Sequence, residues 1–224
     1  MSFSYEDRES DSPFVQTIWR TQGEQDGCYT SAADGSWDFL IIKEDGQTQF
    51  NITGAATKAV PVVYKAGVEY LGIRFKVGAY LPQFPVSAIV DNMLTLPQAT
   101  SASFWFHDSM LPLPHFDNVE SFLDRLARNR LLAQDAVVDA VLQGDTQALS
   151  LRSVQRHFAR TTGLTHKYVR QIERARQAVA LLERGVPVID AAFAAGYTDQ
   201  PHMTKALKHL IGQTPRQIRL NRPA

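Results

Sequence analysis

This sequence has few cysteines, no long apolar run and no leader pattern. Only one cysteine, Cys28, occurs in 224 residues, which excludes an intrachain disulfide framework and a cysteine-rich zinc module. No run approaches the roughly 18 apolar residues of a membrane span. The acidic start MSFSYEDRESDSP is unlike a secretory or transit signal. We therefore expect a cytoplasmic protein with no membrane partner.

The net charge of the whole chain is zero, but its two parts carry opposite charges. Residues 145–224 hold 13 Lys and Arg against 5 Asp and Glu, a balance of +8, whereas residues 1–144 hold 10 against 18, a balance of −8. This asymmetry indicates that the C-terminal part meets a polyanion and that the N-terminal part does not. A solvated basic helical surface would give the same count, so the pattern within the region must decide.

The N-terminal half has the pattern of short β-strands. Runs rich in Val, Ile, Thr and aromatic residues are separated by turn residues such as Asp45-Gly46, a good hairpin signal. The runs lie at residues 15–20, 36–43, 48–53, 59–65 and 69–77. Strands this short at regular spacing predict a small sandwich or barrel. Five prolines between Leu81 and Pro114 predict a loop-rich crossover.

The periodicity becomes helical after this crossover. Apolar residues in the segment 118–132 repeat at helical spacing, with acids early and arginines late. We therefore predict an α+β protein with a β-rich domain over 1–112, a connecting helix within 113–134 and a helical domain over 135–224. The 118–132 helix would either bridge the two domains or pack between two protomers, and we favour the bridge.

Capping signals divide the C-terminal region into short helices. Ser150 and Thr165 are placed to cap two helices and Gly163 to end the first, while Thr198 is placed to cap a later one. The pattern of helix, turn and helix with a polar outer face occurs twice, which is typical of helix-turn-helix DNA binding. The helix between the two units, residues 166–184, would be about 28 Å long. That length sets two recognition helices roughly one DNA turn apart, although an ordinary helical bundle with a basic surface would share these features.

Residues 148–219 resemble the DNA-binding domain of the AraC/XylS family of bacterial transcription regulators. The stretch AGYTDQPHMTKALKHLIGQTP matches the family's second-half signature, and VQRHFARTTGLT matches the first half. The β-rich half is similar to the cupin-like sensor domains of one group of these regulators. One departure is the turn GDTQA before the first recognition helix, which is longer than the family's compact turn with glycine.

The resemblance implies a sequence-specific regulator with two recognition helices, at about 151–161 and 199–210, in successive major grooves. The positions that match base-facing residues of the family are Arg152, Gln155, Arg156, Gln200, Pro201, Thr204 and Lys205. Arg and Gln can each bind a purine edge through two hydrogen bonds, while proline offers only an apolar contact. Phosphate contacts are expected from Arg160, Thr165, Lys167, Arg170, Lys208 and Thr214. For each Lys or Arg, a solvated charge is the alternative.

The resemblance further implies a small-molecule effector in the β-rich domain, with RNA polymerase and a second copy of the chain as further partners and no cofactor. Aromatic and basic residues that could line an effector pocket are Trp37, Phe39, Tyr64, Tyr70 and Arg74. Aromatic residues on alternating strands more often form a core, and Arg74 would then face water. Ten apolar positions are predicted to form the helical core: Val154, Phe158, Tyr168, Ile172, Leu182, Ala192, Tyr197, Met203, Leu207 and Ile218.

Two other functions compete with this interpretation. A nucleic-acid-binding protein without sequence preference would need only the basic face. The second alternative is a small β-domain enzyme fused to a helical module. It is suggested by four residues that lie close together in the sequence, His107, Asp108, His115 and Asp117. That spacing crosses a proline-rich loop, so it argues against a metal site, and no nucleophile elbow or phosphate loop is present. Cys28 has no companion cysteines, which argues against the DNA-repair methyl-acceptor proteins that carry a similar helical domain.

Overall fold

The protein folds as a β-rich N-terminal region followed by a helical C-terminal region, so the predicted α+β order is confirmed. The structure is a computed structural model and describes residues 3–145 and 150–220. The predicted long turn GDTQA falls largely on residues 146–149, which lie outside the described residues. Within the described part of the chain, no helix is both long enough and apolar enough to cross a bilayer.

Antiparallel strands build the N-terminal region. The strands are β1 (Phe3–Arg8), β2 (Val15–Gly23), β3 (Gly27–Ser31), β4 (Asp38–Glu44), β5 (Gln47–Thr53), β6 (Val60–Tyr64), β7 (Glu69–Phe75), β8 (Ala79–Tyr80), β9 (Met93–Leu96), β10 (Gln98–Thr100), β11 (Ser103–Phe106), β12 (Ser109–Pro112) and β13 (Ala133–Gln134). One sheet has the order β1-β2-β7-β4-β5-β9, a second is β10-β11-β12, and two pairs are β3-β6 and β8-β13. The predicted hairpin forms, with Asp45 and Gly46 in the left-handed region between β4 and β5.

The segment 81–114 differs from the predicted crossover. It contains β9 to β12 and a short 3-10 helix at Val86–Ile89. Two of its prolines lie where a missing backbone N–H removes few hydrogen bonds between strands: Pro97 separates β9 from β10, and Pro112 ends β12. The inward residue Phe104 of β11 stacks on Phe50 of the large sheet with ring centroids 3.9 Å apart. The second sheet therefore covers one face of the first and closes a small sandwich.

Helix α1 (Val119–Arg128) packs into this sandwich. Its buried residues, Val119, Phe122, Leu123 and Leu126, belong to the same hydrophobic cluster as the inner face of the large sheet. The helix is also shorter than the predicted 118–132, since Asn129 caps it and Arg130 adopts a positive φ of 58°. The helix precedes the C-terminal region along the chain, but its apolar face is bound to the β-rich region.

The C-terminal helices begin and end close to the predicted residues. They are α2 (Ala136–Leu142), α3 (Leu151–Thr162), α4 (His166–Glu183), α5 (Val188–Ala194), α6 (Gln200–Leu210) and α7 (Pro215–Leu220). Ser150 and Thr165 cap α3 and α4, and Gly163 ends α3 with a left-handed φ of 73°. The predicted cap of α6 was one residue early, because Asp199 and not Thr198 accepts the hydrogen bond from the backbone N–H of His202, at 2.7 Å.

A second hydrophobic cluster holds α2 to α7 together. Nine of the ten predicted core residues are buried in it. Tyr168 is only half-buried, because its hydroxyl leaves the helical region and donates to the backbone oxygen of Thr57 in the β-rich region, at 2.5 Å. Each region therefore has its own apolar cluster, and the two regions meet through polar contacts and through Ala33 and Ala55, which are buried in the helical cluster.

An ion pair between β1 and α1 gives the first testable prediction. Arg8 donates to both carboxylate oxygens of Glu120 at 2.6 and 2.9 Å, and this lowers the pKa of Glu120 to about 2. We expect Glu120→Gln to lower the free energy of unfolding at neutral pH by about 0.5–1 kcal/mol, since the pair is partly exposed and screened by solvent.

The pH dependence of this loss follows from the direction of the shift. The folded-state pKa lies below the ordinary 4.5, so the contribution is present above that value and is lost as the pH falls towards 2. Urea unfolding of the wild type and the variant should therefore show a gap that narrows between neutral pH and about pH 3. Asp124→Asn, at an exposed position on the same helix, is the control, and a gap independent of pH would contradict the account.

Candidate DNA interface and ligand cavity

The first candidate recognition helix is α3, which follows α2 in a helix-turn-helix arrangement. Val154 and Phe158 face the helical core, and the predicted base-contacting residues Arg152, Gln155 and Arg156 are all exposed. The three polar side chains lie at positions i, i+3 and i+4, which share one face of a helix. The structure therefore presents them together to solvent on the side opposite the core.

Arg160, a predicted phosphate contact, lies on α3 but is already engaged. Its Nη2 donates to Oδ2 of Asp135 at 2.5 Å, and its guanidinium lies over the ring of Tyr80, 4.4 Å from the centroid. Asp135 is 3% exposed, caps α2 and also contacts Nδ1 of His157 at 2.8 Å. Burial alone would raise the pKa of Asp135, but hydrogen bonds from His157 and Arg160 lower it below its ordinary value. We call these four residues the Asp135 cluster.

The second candidate recognition helix is α6. A shallow surface groove along it is lined by Gln200, Pro201, Thr204, Lys205 and Lys208. These are the four predicted base-contacting residues of this helix together with a predicted phosphate contact. Met203 and Leu207 anchor the opposite face in the core. Pro201 lies in the first turn, where the missing N–H would have no helical partner.

Helix α4 separates the two recognition helices. Its 18 residues span about 27 Å, and its buried stripe includes Ile172, Ala175 and Leu182. Lys167 and Arg170, two predicted phosphate contacts, are exposed near its N-terminus and line a shallow cleft with residues of the α5–α6 turn. The remaining predicted contacts are helix caps: Thr165 Oγ1 accepts from the N–H of Tyr168, and Thr214 Oγ1 accepts from the N–H of Gln217.

A cavity of about 340 Å³ lies between the large sheet and the β3-β6 pair. Three of the five predicted pocket residues, Tyr64, Tyr70 and Arg74, line it. Trp37 and Phe39 do not, because they are packed in the sandwich core at 1% exposure, where Trp37 stacks on Phe75. Sequence reasoning missed further aromatic residues in the lining, which are Phe3, Tyr5, Trp19 and Tyr29. We call this space the aromatic cavity.

One signal for the missed residues is a glycine within a strand. A Cβ atom on Gly72 of β7 would lie 2.0 Å from the indole of Trp19 on β2. A glycine inside a strand often marks such a close approach. The glycine therefore gives the Trp19 ring its place in the wall of the aromatic cavity.

The charged residue of the aromatic cavity is held by two carboxylates. Arg74 donates from Nε and Nη2 to Asp38 at 3.1 and 3.0 Å, and Nη2 lies 3.4 Å from Asp34. Burial, followed by the nearby charge of Asp38, raises the pKa of Asp34 to about 6. The pKa of Arg74 is raised, first by the charge of Asp38, so its guanidinium stays protonated.

The histidine and aspartate residues considered for a metal site lie apart. His107 pairs with Asp108 at 3.3 Å on the β11–β12 turn, whereas His115 and Asp117 line a separate cleft before α1. Among the described residues no group of three or more His, Cys, Asp or Glu side chains is placed to hold a metal ion.

Comparison with known proteins agrees with the geometry of the helical region. A family model described as "Helix-turn-helix domain" matches residues 145–221. The regulatory protein Ada of Salmonella typhimurium is 32% identical over 98 residues, covering 43% of this chain and 28% of that protein. The transcriptional activator RhaS of Escherichia coli is 29% identical over 136 residues, covering 57% and 48% respectively. The chain thus spans less than half the length of these relatives.

Among solved structures, ToxT of Vibrio cholerae aligns with 98% of both chains at 7% identity and a TM-score of 0.40, a likeness too distant to place any residue. The fold and the site define a helix-turn-helix domain in the C-terminal region. The match of residues 145–221 to this family model confirms the resemblance of the region to the AraC/XylS family.

The Asp135 cluster yields a stability prediction. Asp135→Ala removes the cap of α2 and leaves His157 and Arg160 without their carboxylate, so we expect a loss of about 2–3 kcal/mol in the free energy of unfolding. Asp199→Ala, which removes only the exposed cap of α6, is the matched control and should cost about 1 kcal/mol. Urea denaturation measures both, and equal losses would show that the cluster adds nothing beyond a cap.

Proposed function

We propose that this protein is a cytoplasmic, sequence-specific transcriptional regulator that binds double-stranded DNA and has no enzymatic activity. The observation that supports this most directly is the pair of exposed polar faces on α3 and α6, each in a helix-turn-helix unit and joined by α4. Helix α4 is about 27 Å long, and a rigid spacer of this length between two such faces suits successive major grooves on one side of a duplex. The balance of +8 in residues 145–224 supplies the attraction to phosphate.

The proposed division of labour follows from side-chain chemistry. Arg152, Gln155 and Arg156 on α3 would read purine edges in one groove, and Gln200, Thr204 and Lys205 on α6 would read the next. Pro201 would make an apolar contact, for example with a thymine methyl group. Lys167, Arg170 and Lys208, with the helix N-termini at Thr165 and Thr214, would hold phosphates. Arg160 is left out of these proposed phosphate contacts, because it is already bound by Asp135 and Tyr80.

The β-rich region is proposed to sense a small molecule. We propose a first domain over 1–112, a connection over 113–134 and a DNA-binding domain over 135–224. The aromatic cavity is the proposed effector site, since its volume of about 340 Å³ lies in the range of ligand pockets and its wall includes six aromatic residues. RNA polymerase and a second copy of the chain are further proposed partners, without an assigned surface.

Binding without sequence preference is the alternative that the basic face allows. Competition by unrelated DNA at a fixed salt concentration distinguishes the two functions, because sequence-independent binding depends only on the number of phosphates contacted. A regulator should keep its operator when unrelated DNA is in excess. A protein of the alternative kind should release it in proportion to the competitor.

Two substitutions test the division of labour. We expect Arg156→Ala to weaken operator binding by about 1–3 kcal/mol and to relax discrimination at one base position. Lys208→Ala should weaken all sequences alike and reduce the salt dependence of binding. Gel-shift titrations with the operator and with single-base variants of it measure both effects. Equal losses across the mutated operators for both variants would contradict the proposed roles.

A further inference from the structure

We propose that the aromatic cavity binds an uncharged, ring-containing molecule in preference to an anionic one. This rests on the proposed function, in which the cavity holds an effector. Among the described residues that line the cavity, Arg74 alone is charged. Whether the cavity attracts an anion therefore depends on what already surrounds this one guanidinium.

Arg74 offers little net positive charge to a ligand. The side chains of Asp38 and Asp34 are only 9% and 11% exposed and both contact its guanidinium. Two carboxylates around one guanidinium give this trio a formal charge of −1 when all are ionised. Arg176 of α4 is close enough to interact with the charges of Arg74, Asp34 and Asp38, but it lines a separate cleft with Asp34 and does not line the aromatic cavity. A ligand carboxylate would lose its hydration without gaining an unpaired cation.

The remaining wall suits a neutral ring. Phe3, Tyr29 and Tyr64 form a cluster with ring centroids 5.3 to 6.3 Å apart, and Trp19 and Tyr70 line the cavity with them. Burial raises the pKa of Tyr29, so its phenol remains an uncharged donor and acceptor. Aromatic rings offer edge and face contacts to a ligand ring, and the phenols and Ser31 offer hydrogen bonds to a ligand hydroxyl.

The test compares two probes that share a skeleton and differ in charge, 2-phenylethanol and phenylacetate. Calorimetric titration of the full chain should show at least about tenfold tighter binding of the alcohol. Asp38→Asn, which removes one carboxylate from Arg74 with little change in shape, should narrow that difference. Tighter binding of phenylacetate by the wild type, or binding of neither probe, would overturn the proposal. Operator binding by the same preparation tests the DNA-binding function separately.

A different set of contacts carries a second inference. We infer that occupancy of the aromatic cavity is transmitted to the second recognition helix, α6, through residues 30–33. Thr30, Ser31 and Ala32 line the cavity, and the next residue, Ala33, donates its backbone N–H to the carbonyl of Leu210 at 2.7 Å. Leu210 is the last residue of α6, so one short segment joins the cavity wall to that helix.

Neighbouring contacts make this junction continuous. Strand β6 pairs with β3, and Ala59, just before β6, donates its N–H to the carbonyl of His209 at 2.9 Å. Thr30 and Ala59 also crowd Gly212, where an added Cβ would lie 2.6 Å from Thr30 Cγ2 and 3.1 Å from Ala59 Cβ. A ligand that moved β3 or β6 would therefore displace the C-terminal end of α6.

The first recognition helix is held elsewhere. His157 and Arg160 of α3 bind Asp135, and Arg160 lies over Tyr80 of β8, none of which lines the aromatic cavity. The turn after α3 meets Ser87 and Val90, again outside that lining. The junction thus predicts unequal effects on the two half-sites of an operator.

A cavity-filling substitution imitates occupancy without a known ligand. Leu40 of β4 lines the aromatic cavity, so Leu40→Trp should accelerate amide hydrogen exchange at Ala33 and Ala59. In a footprint, protection of the half-site bound by α6 should require about tenfold more protein, within the usual range of allosteric coupling, while the other half-site is unchanged. Gln49→Trp, at an exposed position on β5, controls for the added indole.

A second pair of variants approaches the junction from the helical side. Gly212→Ala should also accelerate exchange at Ala33, because the new methyl group would collide with Thr30. Gly46→Ala is its matched control, since Gly46 has a similar φ of +76° against +80° but no atom within 4 Å of the added Cβ. Equal changes at both half-sites, or unchanged exchange at Ala33 in Leu40→Trp and Gly212→Ala, would overturn the inference. Wild-type protein that protects no DNA would instead refute the proposed function.

Discussion

The structure of the helix-turn-helix region depends on the packing of α4. Its apolar stripe, from Val169 to Leu182, contacts both helix-turn-helix units within one hydrophobic cluster. Because a helix of 18 residues has a fixed length of about 27 Å, this burial places a rigid spacer between α3 and α6. The two exposed polar faces can be proposed to bind one DNA site only because of this spacer, since two unlinked recognition helices would have no defined spacing on DNA.

The β-rich region is attached to this unit by both apolar and polar contacts, since Ala33 and Ala55 are buried in the hydrophobic cluster of the helical region. The Asp135 cluster holds α3, while backbone hydrogen bonds from Ala33 and Ala59 hold the end of α6. The β-rich region therefore contacts each recognition helix through a different set of residues, an arrangement suited to a protein whose two halves respond to each other.

Much of the helical region could be predicted because its signals are local. Ser150, Gly163 and Thr165 each act within one helical turn, and the structure places all three as predicted. The cap of α6 was misplaced by one residue because Thr198 and Asp199 are both good capping types. In the β-rich half, prolines concealed β9 to β12, since register and edge position decide where proline is tolerated. The pairing of Arg160 with Asp135 could not be predicted, because it joins residues 25 positions apart in the sequence. Trp37 and Phe39 lie away from the cavity because they are on the covered face of the sheet, which the sequence pattern does not reveal.

Footprinting of the purified protein across a bacterial genome tests the central claim most directly. Two recognition helices held apart by one rigid helix predict paired protected segments on one face of the duplex, with centres about one helical turn apart and a shared sequence in each. Single segments, a variable separation, or protection that follows no sequence would contradict the account.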